Sequence, residues 1–106
     1  MEEKDFLKLS ESKLMEIDDF IENNDERSVF DVEYSDGILT IEVFHHNKTY
    51  VINKNSGNQK IWVSSPVSGA DYFAYNSGKN NWFNDQGIEL SEKLFSELKD
   101  NFNFNF

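Results

Sequence analysis

The apolar residues of this chain change their period twice, and that change limits the fold more than any single motif. Over residues 3–23, at about 100° per residue, Phe6, Leu7, Leu9, Leu14, Ile17, Phe20 and Ile21 fall in one arc of about 160°. Glu11, Glu16, Asp18, Asp19 and Glu22 fall in the complementary arc. This spacing predicts one amphipathic helix. Asn23-Asn24-Asp25 should end it, because Asn tolerates a left-handed C-terminal cap and all three residues favour turns.

From Phe30 the period drops to two. Phe30, Val32 and Tyr34 point one way, and Asp31 and Glu33 the other. Asp36-Gly37 is a strong hairpin signal, and Ile38–Phe44 reads as a second strand with Leu39, Ile41 and Val43 on one face. Asn47-Lys48 turns the chain into a third strand, Thr49–Asn53, followed by a polar loop from Lys54 to Gln59. Further strands are expected at Lys60–Ser64, Tyr72–Tyr75 and Trp82-Phe83, with turns at 65–69 and 77–80. Helical spacing returns over 89–100 through Leu90, Leu94, Phe95 and Leu98. Phe102, Phe104 and Phe106 then suggest an extended tail packing into a groove. Helix, five or six antiparallel strands, helix is the order of an α+β two-layer sandwich with both helices on one sheet face. No repeat or linker divides residues 1–106, so one domain is expected.

Charge is concentrated at one end. The formal net charge is -10, and residues 1–36 hold 13 acids against 4 bases. Phosphate contacts need clustered Lys and Arg, so a generic nucleic-acid or anionic-membrane binder is excluded, and a cationic partner is favoured. With no cysteine, disulfide frameworks, zinc fingers, cysteine-ligated clusters and thiol catalysis are excluded as well. No apolar run spans a bilayer, and the acidic start Met1-Glu2-Glu3-Lys4-Asp5 is unlike a secretory or transit signal, so a cytoplasmic protein is expected.

The first chemical constellation is the acidic run. Asp18, Asp19, Glu22, Asp25, Glu26, Asp31 and Glu33 lie within 16 residues, opposed only by Arg27. Asp18 and Glu22 form a like-charge (i, i+4) pair, and acids near a helix C-terminus oppose its dipole; each effect costs only about 0.2–1 kcal/mol. Unfavourable placement continued across two elements points to a binding surface rather than a merely solvated one. If the first strand is an edge beside the helix, Asp31 and Glu33 extend the helix's acidic face. Carboxylates are hard oxygen ligands suited to Mg, Ca, Mn and hydrated iron. Without His or Cys the site would be open, hydrated and poorly selective. The spacing is not that of an EF-hand.

The second is Trp62. In Lys60-Ile61-Trp62-Val63-Ser64, Ile61 and Val63 take the inward face, leaving Trp62 outward with Lys60 and Ser64 as a candidate protein-binding anchor. The third, His45-His46, reads as surface, since adjacent strand residues point to opposite faces. No phosphate loop or nucleophile–base pair is recognisable, so no catalytic residue is assigned.

These residues resemble the frataxin family, whose bacterial members are called CyaY. The resemblance rests on the acidic first helix, the Asp36-Gly37-Ile38-Leu39-Thr40-Ile41 hairpin and Tyr50-Val51-Ile52-Asn53-Lys54. Its most specific part is Asn58-Gln59-Lys60-Ile61-Trp62-Val63-Ser64-Ser65-Pro66-Val67-Ser68-Gly69. It implies the sandwich already derived. It also implies weak, reversible binding of Fe(II) or Fe(III) by an acidic ridge, and association with the cysteine desulfurase and scaffold protein of iron–sulfur cluster assembly. By position the ridge becomes Glu11, Asp18, Asp19, Glu22, Asp25, Asp31 and Glu33, with Glu16 and Glu26 as additions. Partner contact falls to Trp62 with Asn53, Asn58 and Lys60. Asn23 replaces an acid found in many members, and Tyr72 stands where eukaryotic members carry a basic residue.

The resemblance therefore implies an iron-binding adaptor and regulator, a monomer able to form iron-dependent oligomers. A ferroxidase that stores iron is the enzymatic alternative, but a dinuclear site would call for His among its ligands. A polyanion mimic that blocks a nucleic-acid-binding protein is the other, and it leaves Trp62 unexplained.

Overall fold

A computed structural model describes residues 1–106. In order, the elements are α1 (Glu3–Asn24), β1 (Phe30–Ser35), β2 (Ile38–Val43), β3 (Lys48–Asn55), β4 (Lys60–Ser65), β5 (Gly69–Asn76), β6 (Asn81–Phe83) and α2 (Leu90–Phe102). The six strands form one antiparallel meander in the order β1-β2-β3-β4-β5-β6, so β1 and β6 are its edges. Both helices cover one face, giving the expected two-layer α+β sandwich.

Strand alternation builds the core. Leu39, Ile41 and Val43 of β2, Tyr50 and Ile52 of β3, and Ile61 and Val63 of β4 are buried against Phe6, Leu14, Ile17 and Ile21 of α1 and Leu90, Leu94 and Leu98 of α2. The helices run side by side in the same direction. Lys13 of α1 pairs with Glu89 at the start of α2, 3.2 Å apart, and two turns further along Phe20 stacks on Phe95 with ring centroids 4.5 Å apart.

The β1–β2 hairpin follows from Asp36-Gly37. Both residues take positive φ, 55° and 78°, the geometry of a two-residue turn that matches strand twist. A Cβ on Gly37 would sit 2.8 Å from Lys54 Nζ, the end of a flexible side chain that can move aside, so the positive φ is what favours glycine here.

Several boundaries differ from expectation. β3 runs to Asn55, absorbing Lys54 from the expected loop, and β5 runs from Gly69. Both are lengthened by cross-strand partners: Lys54 lies opposite Ile61, and Ala70 opposite Ser64. His45 and His46 sit in the β2–β3 turn instead of a strand, with His45 at φ 69° and His46 edge-on to Phe102. α1 ends without a left-handed cap. Asp25 has φ -88°, because its carboxylate reaches forward to accept the backbone N–H groups of Val29 (2.9 Å) and Phe30 (2.8 Å).

The C-terminal phenylalanines divide. Phe102 belongs to the last turn of α2, and Asn103 (φ 59°) supplies the left-handed cap there. That cap turns Phe104 inward, where it is 2 % exposed against the rings of Phe20, Phe30 and Phe95, while Phe106 is 54 % exposed. Two polar residues also lie within the apolar arc of α1. Ser10 is buried with its hydroxyl donating to the Leu7 carbonyl, and Lys13, 6 % exposed, is buried with Glu89.

A polar clamp ties α2 to the β4–β5 turn. The Glu97 carboxylate accepts the hydroxyls of Tyr50 (3.0 Å), Ser65 (2.6 Å) and Ser68 (2.6 Å). Burial and the adjacent Glu97 charge push the Tyr50 phenol up from its ordinary value. Lys93 of α2 donates to Asp71 of β5 at 2.7 Å. Burial alone would raise Asp71, but Lys93, Asn84 and the Tyr72 N–H outweigh it and hold the carboxyl below the usual range.

Candidate functional site

Chain geometry sorts the nine candidate acids into distinct environments. On the α1 wheel, Phe20 and Lys13 mark the flank that faces α2. Glu11, Asp18 and Glu22 occupy the opposite flank, and α1 makes its main approach to the sheet over β1 and β3. Glu11 is ion-paired there with Lys54 Nζ of β3 at 2.9 Å. Glu16 lies on the other side, 3.9 Å from Lys13, near the β5–β6 hairpin. Asp19 and Glu22 are exposed. Asp25 spends both oxygens on β1, and Glu26 lies exposed in the α1–β1 connection.

Asp31 and Glu33 are exposed on β1. Because Phe30 is buried and alternation is strict, their side chains leave the sheet on the face away from the helices. They are neighbours of the helix acids around an edge, not in one plane. Opposite Asp31 lies Glu42, a like charge that the sequence pattern did not single out. No three carboxylate or imidazole groups converge to hold one metal ion. Apart from Glu11 and Glu16, none of the nine forms an ion pair.

Asp18 stands out. Its Oδ1 is buried with no hydrogen-bond partner. Desolvation, then the adjacent Glu22 and Asp19 charges, push its carboxyl up to about 6. A buried, unpartnered carboxylate oxygen beside two more carboxylates suits a hard cation, which would relieve both its desolvation and the mutual repulsion.

The sign of the stability effect follows. The folded value lies above the unfolded one, so ionised Asp18 opposes folding. The folded state is relieved of this cost below about pH 4 and bears it fully above about pH 6. Asp18→Asn should therefore stabilise the metal-free protein at pH 7 by about 1 kcal/mol, the scale of one like-charge pair plus one dipole clash. The gain should fade as pH drops from 6 to 4 in parallel thermal melts. Asp25→Ala should behave oppositely. It orphans two backbone N–H groups at the start of β1 and should cost about 2 kcal/mol at neutral pH, measured by urea unfolding.

The other surface is the open sheet face. Trp62 is half-buried on β4, as alternation required, with Asn53 of β3 opposite it on one side and Tyr72 of β5 on the other. Beyond Asn53 the same row continues to Ile38 of β2. Tyr72 is 46 % exposed, so the row presents two aromatic rings and an aliphatic group to solvent. Lys60 starts β4 beside this row, while the Asn58 side chain turns back to accept the Lys60 N–H at 3.2 Å. Asn58 is thus a turn-forming residue as well as a surface amide. The Tyr72 and Ile38 contributions follow from register, which sequence alternation alone does not give.

Fold and surfaces together define a class: an acidic antiparallel α+β sandwich that displays unpaired carboxylates at one edge and an aromatic row on its open sheet face. A frataxin-like domain model matches residues 1–104, and the chain belongs to that family. Mitochondrial frataxin of Dictyostelium discoideum is 46% identical over 70 residues, covering 65% of this chain but only 36% of the relative's length. Frataxin from Psychromonas ingrahamii superposes with a TM-score of 0.85 over 99% of this chain and 95% of its own, at 21% identity, which speaks for the fold alone. A trimeric frataxin from Saccharomyces cerevisiae, complexed with ferrous iron, is 32% identical with a TM-score of 0.65 over 94% of this chain and 85% of its own. No helix is long and apolar enough to cross a membrane.

Proposed function

We propose that this protein is an iron-binding adaptor of iron–sulfur cluster assembly, with no reaction of its own. The observation that carries the reading is the set of unpaired carboxylates on the outer flank of α1 and on β1, with the orphaned Asp18 oxygen at its centre. Asp18, Asp19 and Glu22 would hold hydrated Fe(II) or Fe(III) weakly and reversibly. Glu11, Glu26, Asp31 and Glu33 add to the field, Glu16 lies on its far side, and Asp25 serves mainly to start β1. Because no three ligands converge, exchange of the ions would be fast.

The same field would attract the basic surface of a cysteine desulfurase, since opposed charge steers encounter and fixes orientation. The row through Trp62, with Asn53, Asn58 and Lys60, would meet the scaffold protein. A half-buried Trp flanked by an amide and a tyrosine ring has the make-up of an interface anchor. A cytoplasmic monomer that iron drives into oligomers completes the proposal. The ferrous complex of the trimeric yeast relative favours iron as the cargo. The Dictyostelium relative is named as mitochondrial.

Anaerobic Fe(II) titration tests the iron assignment. Wild-type protein should bind, and Asp18→Asn with Glu22→Gln should weaken binding at least about tenfold, the worth of one charged contact. Equal affinity in the two proteins would place the iron elsewhere.

A further inference from the structure

The edge of β1 is an unused hydrogen-bonding surface. The two-residue Asp36-Gly37 turn makes Ser35 and Ile38 a hydrogen-bonded pair. At the other end the Phe44 N–H donates to the Val29 carbonyl at 2.8 Å. Pairs alternate, so Asp31 and Glu33 also bond to β2, and Phe30, Val32 and Tyr34 turn their N–H and C=O groups outward. Asp25 takes the Phe30 N–H. The Phe30 carbonyl and both backbone groups of Val32 and Tyr34 are left without a strand, because β1 pairs only with β2.

Carboxylates lie on both sides of that edge. Asp31 and Glu33 stand on the open face, and the Asp18–Glu22 flank of α1 adjoins β1 on the other. We propose that the outer edge of β1 accepts an extended, basic segment of a partner protein as an additional antiparallel or parallel strand. This rests on the reading that the acidic surface meets a cationic partner, and it adds the mode of attachment. An added strand sends successive side chains to opposite faces. Each face offers acids, so the segment that fits carries Lys or Arg at adjacent positions and not only at alternate ones. The same charges repel the β1 edge of a second copy, which brings its own Asp31 and Glu33. Backbone pairing would supply affinity and the carboxylates selectivity.

Two peptides test this on the intact protein: a nine-residue peptide in which pairs of adjacent arginines alternate with single valines, so that both faces carry arginine, and the same peptide methylated on its central backbone nitrogens. The unmodified peptide should slow amide hydrogen exchange at Val32 and Tyr34 at least about tenfold at saturation, and the methylated one should not. Val32→Pro keeps every charge and removes an outward N–H, which an edge strand tolerates, together with some packing of the half-buried Val32 side chain. It should bind the unmodified peptide at least about tenfold more weakly. If the methylated peptide binds equally well, or Val32 and Tyr34 stay unprotected in the complex, strand addition is wrong although the acidic docking surface stands. If neither peptide binds at physiological salt, the acidic docking surface fails and takes strand addition with it. Should Val32→Pro not fold, the paired peptides decide alone.

Discussion

Phe104→Ala should destabilise the protein by about 3–5 kcal/mol, a large part of the roughly 5–15 kcal/mol that holds a domain together. The reason is position. Asn103 reverses the backbone after α2 and drops Phe104 between the two helices and the start of β1. Its ring meets Phe20 at 6.2 Å, Phe30 at 5.3 Å and Phe95 at 6.2 Å, so truncation leaves a cavity at the junction of three elements. A loss of that size lowers the melting temperature by well over about 10 °C in a domain of this length. Phe106→Ala, at a ring more than half exposed, should cost under about 1 kcal/mol. Equal losses from the two substitutions, read by calorimetry, would show that the tail does not lock the helices as described.

Reversal of Asp18, Asp19 and Glu22 to Lys should reduce affinity for the desulfurase at least about 100-fold at physiological salt, since close charge pairs at interfaces couple by a few kcal/mol each. Three reversals bring the formal net charge from -10 to -4. Loss of fold should not mimic this result. The substitutions exchange the Asp18–Glu22 repulsion for a lysine–lysine repulsion of similar size, and they place cations near the C-terminus of α1, which the helix dipole favours. The variant should thus melt no lower than wild type. Unchanged binding by a folded variant would remove the acidic flank from the interface.

Much of this was readable in the residues, and the limits are physical. Periods of 3.6 and two assign all eight elements, because Ile17, Ile21, Leu39, Ile41, Ile61 and Val63 must be buried whatever the register. Trp62 was placed outward for the same reason. Strand ends were not legible, since Lys54 and Ala70 join the sheet only because of what lies opposite them. Lys13 was hidden by its charge; only Glu89, 76 positions away, makes its burial tolerable. Alternation put Asp31 and Glu33 on one side of β1 without saying which side α1 would cover. Asp25 reads in sequence as one more ridge acid, because nothing local shows that its oxygens accept the Val29 and Phe30 N–H groups.

The central claim is that one acidic surface serves both iron and a basic protein partner. Its most direct test is an amide NMR titration of the isotope-labelled protein, first with Fe(II) and separately with the cognate desulfurase. Overlapping perturbations within residues 11–33, centred on Asp18, Asp19 and Glu22, are the predicted result. Iron perturbations there with desulfurase perturbations confined to the Trp62 row, or the reverse, would contradict it.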